Sequence, residues 1–264
     1  MSLTLGGGPL AADSPTTVNY RIEGPTHLLF AHPFPRRVRA VLADTVVLDT
    51  GRGLLVHETG LLPVLYAPWE DLRHGKLEAS DHRTHCPFKG DAAYWHLRVG
   101  DRLAENAVWS YPEPNPDAHW LYGMAALYWQ AAEDWFDEEE RVHAHLRDPF
   151  HRVDARHSSM IVRVSSGEQT VALSSRPMVL SETGLPNQYY LPAEDVDQAS
   201  LTQSRTRTRC PYKGEATYWN LTVGGRELSD AAWSYDHPLT DGPDIAGYFC
   251  FVHDELITET ERHP

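Results

Sequence analysis

The sequence predicts a mainly β protein built from two tandem copies of one small antiparallel β domain. Three observations support this prediction: the chain repeats itself, short β-prone runs alternate with turn residues, and the composition is that of a globular protein. Of its 264 residues, 41% are hydrophobic and 23% are charged. These proportions exclude collagen-like, coiled-coil and wholly disordered chains.

The repeat appears when the sequence is shifted against itself by 124 residues. Val38–Ala132 then aligns with Val162–Leu256 without a gap, and 34 of the 95 positions are identical. A period of this length indicates a duplicated domain, because each copy has a common size for an independent core. We expect the copies to pack as a pseudo-two-fold pair. The predicted organisation is an N-terminal arm over 1–35, a first domain over 36–136, an acidic linker with Arg147-Asp148-Pro149 over 137–159, and a second domain over 160–264.

Runs rich in Val, Thr, Tyr and Trp between Gly and Pro residues predict the strands. The predicted strands are Val38–Leu48, Gly53–His57 and Ala92–Val99, with Val162–Leu173, Pro177–Ser181 and Ala216–Val223 in the second copy. Alternation places Trp95 and Leu97 on the core face of their strand and Tyr94 on its polar face. Near the end of each copy we expect a strand followed by a short helix, over Asp134 to Arg141 and Asp254 to Glu261.

The charge and the cysteine content restrict the class of protein. The formal net charge is −14, so without a local basic patch the surface repels phosphate backbones and anionic lipids. The sequence has no apolar run long enough to span a membrane, and Met1 to Thr17 does not resemble a secretory signal. Three scattered cysteines suit a reducing compartment. We therefore expect a cytoplasmic protein that binds neither nucleic acid nor membrane.

One repeated block could carry nucleophilic chemistry. Arg83-Thr84-His85-Cys86-Pro87-Phe88-Lys89-Gly90 recurs as Arg207-Thr208-Arg209-Cys210-Pro211-Tyr212-Lys213-Gly214. Proline extends the backbone at the cysteine and glycine permits a tight turn after the lysine. A lysine ammonium near the sulfur would lower the pKa of the thiol. The candidate catalytic residues are Cys86, Lys89, Cys210 and Lys213, and the alternative is a purely structural turn.

A second group of repeated residues predicts a ligand pocket in each copy. Aromatic rings with a few polar groups build small-molecule sites, although the tryptophans are equally typical of a core. The candidate ligand-binding residues are Glu58, Arg83, Tyr94, Trp109 and Tyr111, with Glu182, Arg207, Tyr218, Trp233 and Tyr235 in the second copy.

Carboxylates and histidines suggest further possibilities. Glu58 with Asp71, and Glu182 with Asp195, could bind magnesium if they converge. The 15 histidines lack the spacing of a metal motif, and no Cys-x-x-Cys is present, so we expect no metal site. Three histidines of the first copy are replaced in the second, and we expect any functional difference between the copies to depend on them. The pairs are His57 and Ser181, His85 and Arg209, and His96 and Asn220.

Four blocks carry a resemblance to a known family. They are Glu-Thr-Gly, Tyr-x-Pro-x-Glu-Asp, Thr-x-Cys-Pro-Phe/Tyr-Lys-Gly with Tyr-Trp downstream, and Trp-Ser-Tyr, each present twice. In these blocks the chain resembles the bacterial domain-of-unknown-function family numbered 427, which also has a nucleotidyltransferase-like name. The resemblance implies compact β domains similar to the β-tent fold of methionine-R-sulfoxide reductases and the thalidomide-binding domain of cereblon. The zinc-binding cysteine pairs of those relatives are missing, as are the Gly-Ser and Asp-x-Asp motifs of nucleotidyltransferases.

Four functions are consistent with the sequence, in which no cofactor is identified. The first is small-molecule binding through an aromatic and cationic pocket in each copy. The second is an enzyme whose cysteine thiol is assisted by lysine. The third is a structural or partner-binding scaffold, and the fourth is a nucleotidyltransferase-like enzyme with carboxylates on magnesium.

Overall fold

A computed structural model of the protein describes residues 3–5, 7–12, 17–19, 21, 23–73, 76–240 and 242–262. The chain forms two compact units, Met1–Asp148 and Pro149–Pro264, which we call the first and second domains. Both are mainly β, as predicted. Within the described part of the chain, none of the helical segments has the length and apolar character that crossing a membrane requires.

The first domain contains two antiparallel sheets. Its strands are β1 (Leu29–Pro33), β2 (Val38–Leu42), β3 (Thr45–Thr50), β4 (Leu54–Glu58), β5 (Val64–Pro68), β6 (Lys76–Cys86), β7 (Gly90–Val99), β8 (Arg102–Ser110), β9 (Met124–Leu127), β10 (Asp134–Asp137) and β11 (Glu140–Val142). The large sheet has the order β1-β4-β5-β9-β8-β7-β6, and the small sheet has the order β11-β10-β2-β3. Short 3-10 segments occupy Trp69–Asp71, Pro116–Leu121 and Trp129–Ala131.

The second domain repeats this arrangement. Its strands are β12 (Val153–His157), β13 (Met160–Ser166), β14 (Gln169–Ser174), β15 (Met178–Glu182), β16 (Gln188–Pro192), β17 (Leu201–Cys210), β18 (Gly214–Val223), β19 (Arg226–Ser234), β20 (Tyr248–Phe251) and β21 (Ile257–Arg262). The large sheet has the order β12-β15-β16-β20-β19-β18-β17, and the small one has the order β14-β13-β21. Further 3-10 turns lie at Ala193–Asp195 and Gln198–Ser200.

The main core of the first domain joins the small sheet to one face of the large sheet. Val38 and Ala40 of β2 pack in one cluster with Leu55 of β4 and Leu97 of β7. Trp95 packs against this cluster, which confirms the predicted core face of β7. In β2 the buried Val38, Ala40 and Leu42 alternate with less buried residues, so strand periodicity decides which of its side chains enter this core.

The opposite face of the large sheet is also buried, contrary to the prediction of a polar face. Tyr94 is only 7% exposed and Tyr111 only 6%. They belong to a second cluster together with Tyr66 and Leu121. The proline-containing loop after β8 covers this side, since Leu121 of the loop belongs to the same cluster. The Asn115 amide of the loop donates a hydrogen bond to the Lys89 carbonyl. The sequence showed the tyrosines, but it did not show that a loop folds over them.

Glycine permits the close approach of that loop. Gly90 has φ +105°, and a Cβ atom at this position would lie 3.1 Å from the Glu113 carbonyl oxygen. Gly214 has φ +107°, and a Cβ atom there would lie 3.2 Å from the His237 carbonyl oxygen. The turn that the Cys-Pro-x-Lys-Gly block predicts is therefore present in both domains.

The predicted helices near the end of each copy are wrong. Asp134–Asp137 is strand β10, which pairs with β2, and Glu140–Val142 is strand β11. Ile257–Arg262 is strand β21, which pairs with β13. β10 and β21 provide the hydrogen-bonding partners of β2 and β13. Because these partners are distant in the sequence, short-range patterns do not reveal the pairing. The alternating threonines of β21 favour a strand.

The structure also draws the domain boundaries differently. Residues 29–33, assigned to the arm, form β1 and pair with β4. Residues 153–157, assigned to the linker, form β12 and pair with β15. Both strands extend their large sheet by one strand, so the arm and the linker are shorter than predicted.

His96 and Asn220 perform the same structural task in their domains. Each lies at a β-bulge whose partner residue has positive φ, 49° at Asn106 and 53° at Asp230. The Asn106 amide donates to His96 Nδ1 at 2.9 Å, and the Asp230 amide donates to Asn220 Oδ1 at 2.9 Å. An imidazole nitrogen and an amide oxygen thus accept equivalent hydrogen bonds. This substitution is structural and does not support a functional difference.

We therefore expect His96→Asn to preserve stability and His96→Ala to reduce it by about 1–2 kcal/mol, because alanine leaves the Asn106 amide without its acceptor. Urea denaturation of both variants beside the unmodified protein measures this. Equal destabilisation by asparagine and alanine would show that the imidazole ring, and not its acceptor atom, supports the bulge.

Candidate functional site

The first candidate site is a group of three charged or polar side chains in the first domain, two of which are buried. Lys89 donates a hydrogen bond to Glu58 Oε1, and His27 Nε2 lies 3.2 Å from Glu58 Oε2. Glu58 is 5% exposed and Lys89 is 7% exposed. The His27 ring stacks on Phe88 at 4.3 Å, and the Lys89 ammonium lies 5.6 Å from the centre of the Tyr111 ring. We call His27, Glu58 and Lys89 the triad of the first domain.

The second domain contains the same triad in His151, Glu182 and Lys213. Lys213 donates to Glu182 Oε2 at 2.8 Å, and His151 Nε2 lies 3.1 Å from Glu182 Oε1. Burial alone would raise the pKa of Glu182. The hydrogen bonds and charges of His151 and Lys213 outweigh burial and lower this pKa from 4.5 to about 2. Glu182 is therefore ionised throughout the physiological pH range.

The triad requires a strongly curved sheet. Glu58 ends β4, Lys89 lies in the turn before β7, and β5, β9 and β8 separate these strands. Four strand spacings of about 4.8 Å would put β4 and β7 roughly 19 Å apart in a flat sheet. The contact between Glu58 and Lys89 therefore means that the large sheet curls, with the triad on its concave side.

Aromatic side chains fill this concave side in both domains. Trp109 Nε1 donates to the Tyr66 hydroxyl at 3.1 Å, and Trp233 Nε1 donates to the Tyr190 hydroxyl at 3.0 Å. Each domain also has a hydrogen bond between a tyrosine and a threonine hydroxyl group. Tyr94 bonds to Thr84 at 3.0 Å, and Tyr218 bonds to Thr208 at 3.1 Å. Burial raises the pKa of both Tyr111 and Tyr235, so their hydroxyl groups remain neutral.

The predicted catalytic residues are brought together only in part. The turn after Cys86 is present, but the ammonium of Lys89 contacts Glu58 and the ring of Tyr111. Lys213 likewise pairs with Glu182. These contacts account for the presence of lysine in both copies without a role in thiol activation. Cys86 and Cys210 are half-buried and form no disulfide.

The predicted ligand-binding arginines lie outside the concave side. Arg83 donates to the carbonyl groups of Ser80 and His82 at 2.6 and 2.7 Å. Arg207 donates to the carbonyl groups of Ser204 and Thr206 at 2.8 and 2.7 Å. Both arginines thus close an irregularity in their own strand, where the pairing register shifts.

The carboxylates considered for magnesium binding do not converge. Glu58 ends β4 and Asp71 follows β5, and because these strands are antiparallel the two residues lie at opposite ends of the pair. Asp71 accepts hydrogen bonds from Thr50 and Arg52, and Asp195 accepts one from Ser174. Among the described residues, no group of three or more His, Cys, Asp or Glu side chains is arranged to hold a metal ion.

His85 and His57 are the other two histidines of the first copy that the second copy replaces. The replacement keeps a pairing with a carboxylate at His85 but not at His57. His85 pairs with Asp91 across β6 and β7 at 2.6 Å, as Arg209 pairs with Glu215 at 3.0 Å. His57 differs, because it is fully buried with Nδ1 3.8 Å from the Asp148 carboxylate. Burial lowers the pKa of His57, against the opposing effect of Asp148. Ser181, its counterpart, is exposed and bonds to Asn187.

Sequence reasoning missed His27 and His151. A signal was present, because the shift of 124 residues that defines the repeat also aligns Pro25 with Pro149 and His27 with His151. These matches precede the gap-free alignment and lie in segments assigned to the arm and the linker.

The second candidate site is a cavity of about 290 Å³ in the first domain. It lies beside the start of β5 and the end of β9. Four aromatic side chains form part of its wall: Trp109, Tyr128, Trp129 and Trp135. The other lining residues are Leu55, Pro63, Val64, Leu65, Leu127, Gln130, His145 and Leu146. Trp109 is the only predicted ligand-binding residue in this wall.

The described part of the cavity wall contains His145 but no carboxylate, ammonium or guanidinium group. Among the described residues that line it, none is Asp, Glu, Lys or Arg. Burial, and then a hydrogen bond with Tyr94, raises the pKa of Tyr128 to about 12, so its hydroxyl group is neutral. Tyr128 and Gln130 are the exposed lining residues, which places the mouth of the cavity beside them.

The wall is not repeated in the second domain. The Tyr128 amide bonds to the Ala107 carbonyl as the Val252 amide bonds to the Ala231 carbonyl, so Val252 replaces Tyr128 and the next residue, His253, replaces Trp129. Trp135 pairs with Ala40 across β10 and β2. Val164 is the counterpart of Ala40 in the second domain, and it pairs with Thr258, so Thr258 replaces Trp135. Three of the four rings are therefore specific to the first domain.

The low pKa of Glu182 predicts a pH dependence of stability. A carboxyl pKa of about 2 in the folded protein, against an ordinary 4.5, means that the stabilisation is complete above pH 4.5 and is lost as the pH falls toward 2. We expect Glu182→Gln to remove about 3 kcal/mol at pH 7, because Lys213 loses its buried partner. The variant should also depend less on pH between 4.5 and 2.

The measurement is the free energy of unfolding of the second domain, obtained by denaturation at pH values across this range. Glu194→Gln is the matched control, because Glu194 pairs with Arg176 on the surface, where both side chains are 61% exposed. Equal pH profiles for the two variants would contradict a special role of Glu182.

Comparison with known proteins identifies the family of both domains. The domain of unknown function DUF427 matches residues 30–138 and 154–262. Each match begins within the first strand of a domain, β1 or β12, which agrees with the structural boundaries. No curated protein matches the chain. Since the two matches cover most of the sequence, this protein belongs to the DUF427 family and carries two tandem copies of its domain.

Proposed function

We propose that the protein binds a small, uncharged, largely apolar molecule in the cavity of the first domain. The observation that carries this proposal is the cavity wall, where aromatic and aliphatic side chains surround about 290 Å³ without an Asp, Glu, Lys or Arg among the described lining residues. Pockets that bind small molecules have mostly apolar walls with a few polar groups. Here Gln130, His145 and the Tyr128 hydroxyl supply the polar groups.

Binding is proposed in the first domain only, whereas the sequence predicted one pocket in each domain. The concave side of each large sheet is filled by its own side chains, so Tyr94, Tyr111 and Lys89 have protein partners where a ligand was expected. The cavity lies elsewhere, and its aromatic wall depends on residues that the second domain replaces. One ligand molecule should therefore bind per chain.

A fluorescence titration with N-phenyl-1-naphthylamine, an uncharged aromatic dye, tests the proposal. We expect saturable binding of one dye per chain. Trp129→His introduces the residue of the second domain and should weaken binding about tenfold or more, because it removes one apolar wall. Val64→Gln, also a residue of the second domain, gives a second test if Trp129→His impairs folding.

The control is Tyr122→His, which also exchanges an aromatic residue for histidine. Tyr122 is 75% exposed and does not line the cavity. We expect it to bind the dye like the unmodified protein. Absence of saturable binding, a stoichiometry of two, or equal binding by the Trp129 and Tyr122 variants would refute the proposal.

A further inference from the structure

The aromatic part of the cavity wall consists of two pairs of rings in contact. Trp129 and Trp135 stack with their centroids 4.6 Å apart and an angle of 10° between their planes. Trp109 and Tyr128 are 4.3 Å apart with an angle of 37°. All four rings line the same cavity. A molecule inside it therefore meets aromatic surface from both pairs.

The hydrogen bonds of the indoles restrict what the wall offers to a ligand. Trp135 Nε1 donates to the Trp129 carbonyl at 2.9 Å, and Trp109 Nε1 donates to the Tyr66 hydroxyl at 3.1 Å. These two donors are therefore occupied by the protein. What Trp109 and Trp135 present to the cavity is ring carbon, which favours stacking or edge contacts with another ring.

From this wall we infer that the ligand carries a flat, uncharged aromatic ring system of one or two fused rings. This inference rests on the proposed function and specifies the class of ligand. The volume of about 290 Å³ is at the small end for ligand pockets and suits a compact ring system. The exposed Gln130 amide at the mouth can hydrogen-bond one polar substituent on the ring.

A cationic ligand is the main competing class, because aromatic rings also bind ammonium groups. Half of the described lining residues are unfavourable for a cation. They are the aliphatic or proline side chains of Leu55, Pro63, Val64, Leu65, Leu127 and Leu146. They would remove water from a positive charge without compensating for it. No carboxylate occurs among the described residues of the wall that could do so.

The test compares two alcohols with the same carbon skeleton. 2-Naphthol is flat and aromatic, whereas decahydro-2-naphthol is saturated and puckered and carries the same hydroxyl group. Competition against the bound dye should show that 2-naphthol binds roughly tenfold more tightly. In Trp129→His this preference should shrink to about twofold or less, while Tyr122→His should retain it.

The outcomes separate this inference from the proposed function. If neither alcohol displaces the dye and the dye itself does not bind saturably, the proposed function fails. If both alcohols bind equally well, the cavity binds apolar molecules but the aromatic class is wrong. Tighter binding of tetramethylammonium than of 2-naphthol would also overturn the inference, in favour of a cationic ligand.

Discussion

The contact between a buried glutamate and a buried lysine is the constraint on which each domain depends. Glu58 and Glu182 end β4 and β15, and Lys89 and Lys213 lie in the turns before β7 and β18. Three other strands separate β4 from β7, and β15 from β18, in the large sheets. The pair can form only if the sheet curls. Removing two charges from water costs more than their attraction returns unless further hydrogen bonds satisfy them. The histidine of each triad supplies such a bond from the segment that leads into β1 or β12.

The repeated aromatic residues have structural contacts on the concave side of the curled sheet, whereas three of the four aromatic rings of the cavity are not repeated. The concave side closes over Tyr66 and Tyr190, whose hydroxyl groups accept the indole hydrogen bonds of Trp109 and Trp233. These side chains must fit one another in both domains, so both copies contain them. The rings of Trp129 and Trp135 contact each other and line the cavity. The second domain forms a seven-stranded large sheet and a three-stranded small sheet without them.

The sequence predicted the duplication, the β class and the core face of β7, because each depends on local alternation or on a comparison of the chain with itself. It did not predict β10 and β21, since each pairs with a strand about a hundred residues away in the sequence. For the candidate site, the sequence singled out repeated lysine, glutamate and aromatic residues, but it did not predict their contacts. Lysine beside cysteine suggested thiol chemistry, whereas the ammonium group reaches a glutamate 31 residues away. The cavity combines side chains from 55 to 146, and no motif connects them.

Trp109 belongs both to the repeated structural contacts and to the wall of the proposed ligand site. Its indole nitrogen is bonded to Tyr66 on the concave side, while its ring contacts Tyr128 and lines the cavity. The second domain keeps the first contact through Trp233 and Tyr190 but has Val252 in place of Tyr128. A tryptophan that the fold requires in both copies is thus available as one wall of a pocket. Three further aromatic rings near it complete the aromatic wall of the proposed binding site in one copy, while both copies keep the same large sheet.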